Sequence, residues 1–184
     1  CIWQVEIEKD CLLLGGGCEQ GMCVDLPPPP NTGEIIFSEL LIIPAPGESE
    51  WIEVTNLTEE DLLLSGCALE SDTNESFLFP DIPLAELIVP AMGSLALVRE
   101  GKKPLETLEN APTYTGVSLL NTADTLKLRC KNILVDELEW NEDWPIKPFK
   151  TLQLSSDAFS KADNDSPYAW CSLAEASPAQ ANVN

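Results

Sequence analysis

The stretch from Ile35 to Asn56, IIFSELLIIPAPGESEWIEVTN, constrains the fold more than any other part of the chain. Its first half, Ile35 to Ile43, is rich in β-branched and large apolar residues, the composition of a strand. Pro44-Ala45-Pro46-Gly47 stops that run, because two prolines remove ladder donors and glycine permits a reversal. Trp51, Glu53 and Thr55 then alternate with Ile52 and Val54, the period of a strand with one buried face. Asn56 closes the second run with a side chain that can bond its own backbone in a turn.

The same grammar continues downstream. Leu62-Leu63-Leu64 leads through Ser65-Gly66 to Cys67-Ala68-Leu69, and Phe77-Leu78-Phe79 ends at Pro80. Met92-Gly93 turns into a strand over Ser94 to Arg99, and the polar excursion from Gly101 to Pro112 should lie exposed. The cleanest alternation sets Leu126, Leu128 and Cys130 against Thr125, Lys127, Arg129 and Lys131, and Lys131-Asn132 turns the chain toward Ile133 to Trp140. Turn signals recur about every 8 to 12 residues with no sustained helical periodicity, which predicts an all-β sandwich or barrel.

Charge and histidine narrow the function. The formal net charge is -21, from 10 basic and 31 acidic residues, and no Lys or Arg lies between Lys9 and Arg99. Nucleic acid and anionic headgroups require cations that this chain lacks, so neither is an expected partner, whereas a basic protein surface is. The absence of histidine removes His-based acid/base catalysis, Ser-His and Cys-His nucleophiles and His-ligated metals. No apolar run is long enough to span a bilayer as a helix.

Seven cysteines fall in two groups. Cys1, Cys11, Cys18 and Cys23 crowd a glycine-rich head, while Cys67, Cys130 and Cys171 lie in the body. The head spacings of nine, six and four residues lack the C-x2-C pairs of a zinc site, so disulfides and an oxidising compartment are expected, with no metal or cofactor. Seven is odd, and lipidation of Cys1, as at the start of a mature bacterial lipoprotein, would leave six to pair; the membrane would then be touched only through that lipid. The organisation that follows is a cysteine-rich segment over 1–26, a polyproline linker over 27–33, a sandwich over 34–171 and a tail over 172–184.

The order of motifs resembles the lamin tail domain, an immunoglobulin-like β-sandwich. Ile35, Phe37, Ser38, Glu39 and Pro44 match its opening strand, and Glu50-Trp51-Ile52-Glu53-Val54-Thr55-Asn56 its second. Leu64-Ser65-Gly66-Cys67, Phe77-Leu78-Phe79-Pro80 and Pro90-Ala91-Met92-Gly93 follow in the family's order. Leu119-Leu120-Asn121-Thr122-Ala123-Asp124-Thr125-Leu126-Lys127-Leu128 and the final Trp170 complete it. Cysteine stands at 67 where the family has tryptophan, and the cysteines, with Ser177-Pro178-Ala179-Gln180-Ala181-Asn182 after Trp170-Cys171, look like those of secreted bacterial members. The resemblance implies a core of Phe37, Ile52, Val54, Leu97, Leu126 and Leu128. It implies a Cys130–Cys171 bridge, with Cys67–Cys130 the rival, by analogy with the inter-sheet disulfide of immunoglobulin domains.

Candidate chemistry is sparse. Glu39 and Glu53 are carboxylates set in apolar strands, read as strand-end acids rather than a catalytic pair, and no catalytic residue is expected. Acid clusters at Glu59-Glu60-Asp61, Asp136-Glu137, Glu142-Asp143 and Asp163-Asn164-Asp165 lack the ordered spacing of a calcium loop. Asn56, Asn74 and Asn164 begin glycosylation sequons, which matter only in a eukaryotic source. Trp140 and Trp144 flank an acidic turn; they either cap the core or, exposed, form a partner contact. The reading is a non-enzymatic structural or protein-interaction module of a bacterial cell envelope or surface assembly, a lipoprotein accessory subunit of the outer membrane, periplasm or cell surface. The alternative is an extracellular adhesin or carbohydrate/calcium-binding domain, and a third class is an accessory to a secreted hydrolase.

Overall fold

The computed structural model describes residues 16–19, 22–81, 85–173 and 178, with side chains described from Asp25 onward. Cys1 and Cys11 therefore lie outside the described residues. Cys18 and Cys23 are described by backbone alone, as register partners in the hairpin of β1 (Gly16–Glu19) and β2 (Met22–Asp25).

Two antiparallel-rich sheets face each other, the arrangement that period-2 patterning predicts when both layers must hide one face. The larger takes β3 (Ile35–Leu41), β4 (Trp51–Asn56), β9 (Ser94–Arg99), β10 (Thr113–Tyr114), β13 (Thr151–Leu154) and β14 (Trp170–Leu173), in the order β10-β9-β4-β3-β13-β14. The smaller takes β6 (Cys67–Ser71), β7 (Ser76–Leu78), β11 (Asp124–Cys130) and β12 (Ile133–Trp140), in the order β12-β11-β6-β7. A short pair, β5 (Leu62–Leu63) with β8 (Ile88–Val89), closes one end. Phe37, Ile52, Val54 and Leu97 meet Leu69, Leu126, Leu128 and Leu138 in one interior, as the alternation requires. Burying each such side chain contributes about 1.5–3 kcal/mol.

The outer face of the smaller sheet is the solvated one. There Lys127 pairs with Asp72 and Glu137, and Arg129 with Glu70, so these cations are spent on neighbouring acids.

The larger sheet departs from the expected pattern, because β4 is buried on both faces. Leu41, Trp51, Ala96, Val98 and Leu108 form a second apolar cluster on its outer side, with Leu105 and Ala111 packed against it. The segment 101–112 keeps its polar residues, Lys102 and Lys103 among them, exposed as its composition implies, but it is not a free excursion. It folds back over Trp51, pinned where Ser49 N–H donates to Lys103 O and Lys103 N–H to Gly47 O. Leu108 is its anchor, and Leu108→Ala should weaken this flap by about 2 kcal/mol. Trypsin cleavage between Lys102 and Lys103 should then accelerate roughly thirtyfold under native conditions. An unchanged rate would mean that Leu108 does not hold the flap.

Candidate functional site

The most organised polar cluster in the described residues arises where two irregularities meet. In β3 the register shifts between Phe37 and Glu39, and in β12 Leu134 and Asp136 pair with consecutive residues of β11, leaving Val135 as an extra residue. A bulge re-aims backbone groups and side chains. Here Asp136 keeps the inward phase of Leu138 and Trp140, the extra residue Val135 is buried beside it, and the Phe37 N–H points at the carboxyl.

Asp136 Oδ2 accepts from Phe37 N–H at 2.8 Å and from Asn164 Nδ2 at 2.8 Å, while Lys161 Nζ lies 3.4 Å from Oδ1. Lys161 and Asn164 share one turn, α1 (Lys161–Asn164), in which the Asp163 N–H donates to the Ser160 side chain as a cap. The Asn164 carbonyl accepts from Trp170 Nε1 at 2.7 Å, which fixes the turn to β14. The stem of Lys161 crosses Gly33, where a Cβ would stand 3.5 Å from Lys161 Cβ and φ is +76°. That position favours glycine for its backbone angle. Burial pushes the Asp136 carboxyl up to about 6, against the pull of its hydrogen-bond donors and of Lys161. Burial also raises Asp165, which feels Lys161 as a favourable charge and Glu137 as an unfavourable one.

The aromatic candidates resolve differently. Trp140 is 1% and Trp144 6% exposed, so neither is a partner contact as an exposed anchor. Trp140 Nε1 donates to Leu120 O at 2.8 Å, and Trp144 stacks at a tilt on Trp170 with centroids 5.7 Å apart; both cap the core. Phe149 is 61% exposed, and the aromatic that reaches furthest into solvent among the described residues is Tyr168, 98% exposed. It lines a shallow groove of about 560 Å³ with Asp143, Pro145, Pro167 and Trp170. Sequence reasoning passed over Tyr168; the Pro167 before it, which opens a short turn, was the available signal.

Among the body cysteines the bridge is Cys67–Cys130. The preferred pairing of Cys130 with Cys171 is corrected: Cys171 is a free, exposed thiol on the edge strand β14. The bridge also differs from the inter-sheet disulfide that suggested the rival pairing. Cys67 and Cys130 are direct register partners on β6 and β11, so it crosses between neighbours within one sheet.

Glu39 and Glu53 are brought together as register partners on β3 and β4, both buried. Gln153 Nε2 donates to Glu39 Oε1 at 2.8 Å and Ser38 Oγ to Glu53 Oε1 at 2.6 Å, so each carboxylate belongs to a polar layer of the sheet. Neither carboxylate lines the surface grooves formed by Ser49 and Glu50, by Glu137 and Glu139, by Tyr168, or by Asp72 and Asp124. Glu50, which accepts from the Arg99 guanidinium and from Leu119 N–H, is raised chiefly by burial. Among the described residues no three Asp, Glu or Cys side chains converge as a cation ligand set. Asn56 and Asn164 are fully buried and so unavailable as glycan acceptors. Asn56 instead builds its turn, accepting from Thr58 N–H and donating to Glu60 O.

Two facing sheets around one interior define an immunoglobulin-like β-sandwich. The family model for the Lamin Tail Domain matches residues 28–142, and the chain belongs to that family. Membership supports a non-enzymatic protein-interaction module. No curated protein matches the chain. The strands continue past the matched region, since β13 pairs with β3 and β14 with β13.

Proposed function

We propose that the chain is a non-enzymatic interaction module of a bacterial envelope or surface assembly, an accessory subunit that docks a basic partner through its Tyr168 end. The observation that carries this reading is the placement of Tyr168. Of the aromatic residues at this groove, Trp170 and the Trp144 stacked on it are spent on the core, while Tyr168 stands in water. A rigid aromatic beside two prolines is the composition of a binding hot spot, large in contact area and low in entropy cost. Glu142 and Asp143 beside it are exposed, and a formal net charge of -21 steers cationic surfaces toward the chain. A buried disulfide fits an oxidising, extracytoplasmic setting.

A photo-crosslinking amino acid at position 168, in protein expressed in its native source, should capture one discrete partner with a basic surface. Tyr168→Ser combined with Asp143→Lys should weaken that complex at least thirtyfold, as expected for a hot spot worth about 2 kcal/mol. Crosslinks scattered over unrelated proteins would retire the reading. A glycan captured in the same groove would favour the adhesin alternative, which the exposed ring beside a carboxylate also suits. Intact mass of the same natively sourced protein reads any acyl chain on Cys1.

A further inference from the structure

We propose that Lys161 and Asp136 become joined by an intramolecular amide between Nζ and Cγ, a self-formed crosslink between the layers of the sandwich. The parts of an acyl-transfer site are present around one carboxyl group. The nucleophile is Lys161 Nζ, 3.4 Å from Oδ1. The opposite oxygen, Oδ2, receives two N–H donors at 2.8 Å, from the Phe37 backbone and the Asn164 side chain. Two fixed donors on one oxygen stabilise the negative charge that grows there as the carbonyl carbon becomes tetrahedral. This leaves Oδ1, on the amine's side, as the oxygen that departs.

The chemistry balances without a co-reactant. A proton passes from the ammonium to the carboxylate across the Nζ–Oδ1 contact, giving a neutral amine and a neutral acid. The amine lone pair forms the N–Cγ bond while the Cγ–Oδ2 π pair moves onto Oδ2. Collapse of that intermediate breaks Cγ–Oδ1, and Oδ1 leaves as water with the second amine proton. Burial of Asp136 favours the neutral acid, since removal from water disfavours its charged form.

Positioning does the rest. Gly33 beneath the lysine stem and the Ser160 cap of α1 fix the amine against the acid, so the step is effectively unimolecular. Asp136 is fully buried, which restricts the water that would reverse the reaction. The product would tie β12 of the smaller sheet to the turn that follows β13 of the larger one. The Cys67–Cys130 bridge does not do this, because it stays within one sheet.

Intact mass of the full, folded chain after reduction should be lower than the sequence mass by one water, about 18 Da. Tryptic mapping should find residues 136 and 161 in one branched peptide. Lys161→Arg, which keeps the charge and the stem, should restore the full mass. Wild-type protein that retains its full mass after prolonged incubation, with Lys161 open to amine acylation after denaturation, would overturn the proposal. So would a loss of one ammonia, about 17 Da, mapped to Asn164.

Discussion

Replacing Cys67 and Cys130 together with alanine should lower the unfolding free energy by about 4 kcal/mol, moving the urea midpoint by more than 1 M for a typical slope. The bridge closes a sequence separation of 63 residues, and in the chain-entropy account each such closure removes freedom from the unfolded chain. Both cysteines are buried, so alanine is the informative replacement; serine would add the cost of hiding a hydroxyl. Burial also sets the kinetics of reduction. Cys171 should react with a maleimide at once, whereas the thiols of Cys67 and Cys130 should appear under reductant only as fast as the sandwich opens. An alanine double variant with an unshifted midpoint would show that strand pairing between β6 and β11 suffices without the bond.

The layered core was legible because it depends on local alternation. Leu126, Leu128 and Cys130 share a face whatever the rest of the chain does, and they lie in the interior. What sequence concealed were features fixed by a distant partner. Cys130 has one neighbour set by alternation, but which cysteine lies opposite depends on the register of β6 against β11. Segment 101–112 is polar enough to read as solvent-exposed, yet Leu105, Leu108 and Ala111 recur at three-residue spacing and supply just enough apolar surface to cover Trp51.

The candidate site was hidden for the same reason, with one exception. Lys161 and Asn164 lie 25 and 28 residues from Asp136, and no spacing rule links them. Asp136 itself left a trace. Counting back in twos from Trp140 through Leu138 puts it on the buried face, so an acid in phase with the core was readable before the bulge was known. Its donors were not, because the Phe37 N–H is freed by a register shift in the other sheet.

The buried acid should also make stability depend on pH in an unusual direction. Lys161→Gln is the background in which to look, since it leaves the Asp136 carboxyl free whether or not the amide forms in the wild type. With Lys161 present the folded carboxyl sits near 6 against an ordinary value of 3.8, and removing a cation that lowers it can only raise it further. The folded chain therefore binds this proton more tightly than the unfolded chain does. Its contribution to stability is complete below about pH 4 and is lost as pH rises through 6, the reverse of a salt-bridged surface acid. The separation of roughly two pH units, at about 1.4 kcal/mol each, makes the loss about 3 kcal/mol. Lys161→Gln/Asp136→Asn is the reference, because asparagine can still accept from Phe37 N–H and does not titrate. Subtracting its urea-derived stability cancels the titration of the other carboxylates, including Asp165 and Glu50, and the general repulsion of a strongly acidic chain. The difference should fall by about 3 kcal/mol between pH 4 and pH 7. A flat difference would mean that Asp136 ionises as freely inside the sandwich as in water, and that its hydrogen-bond donors offset the whole cost of burial.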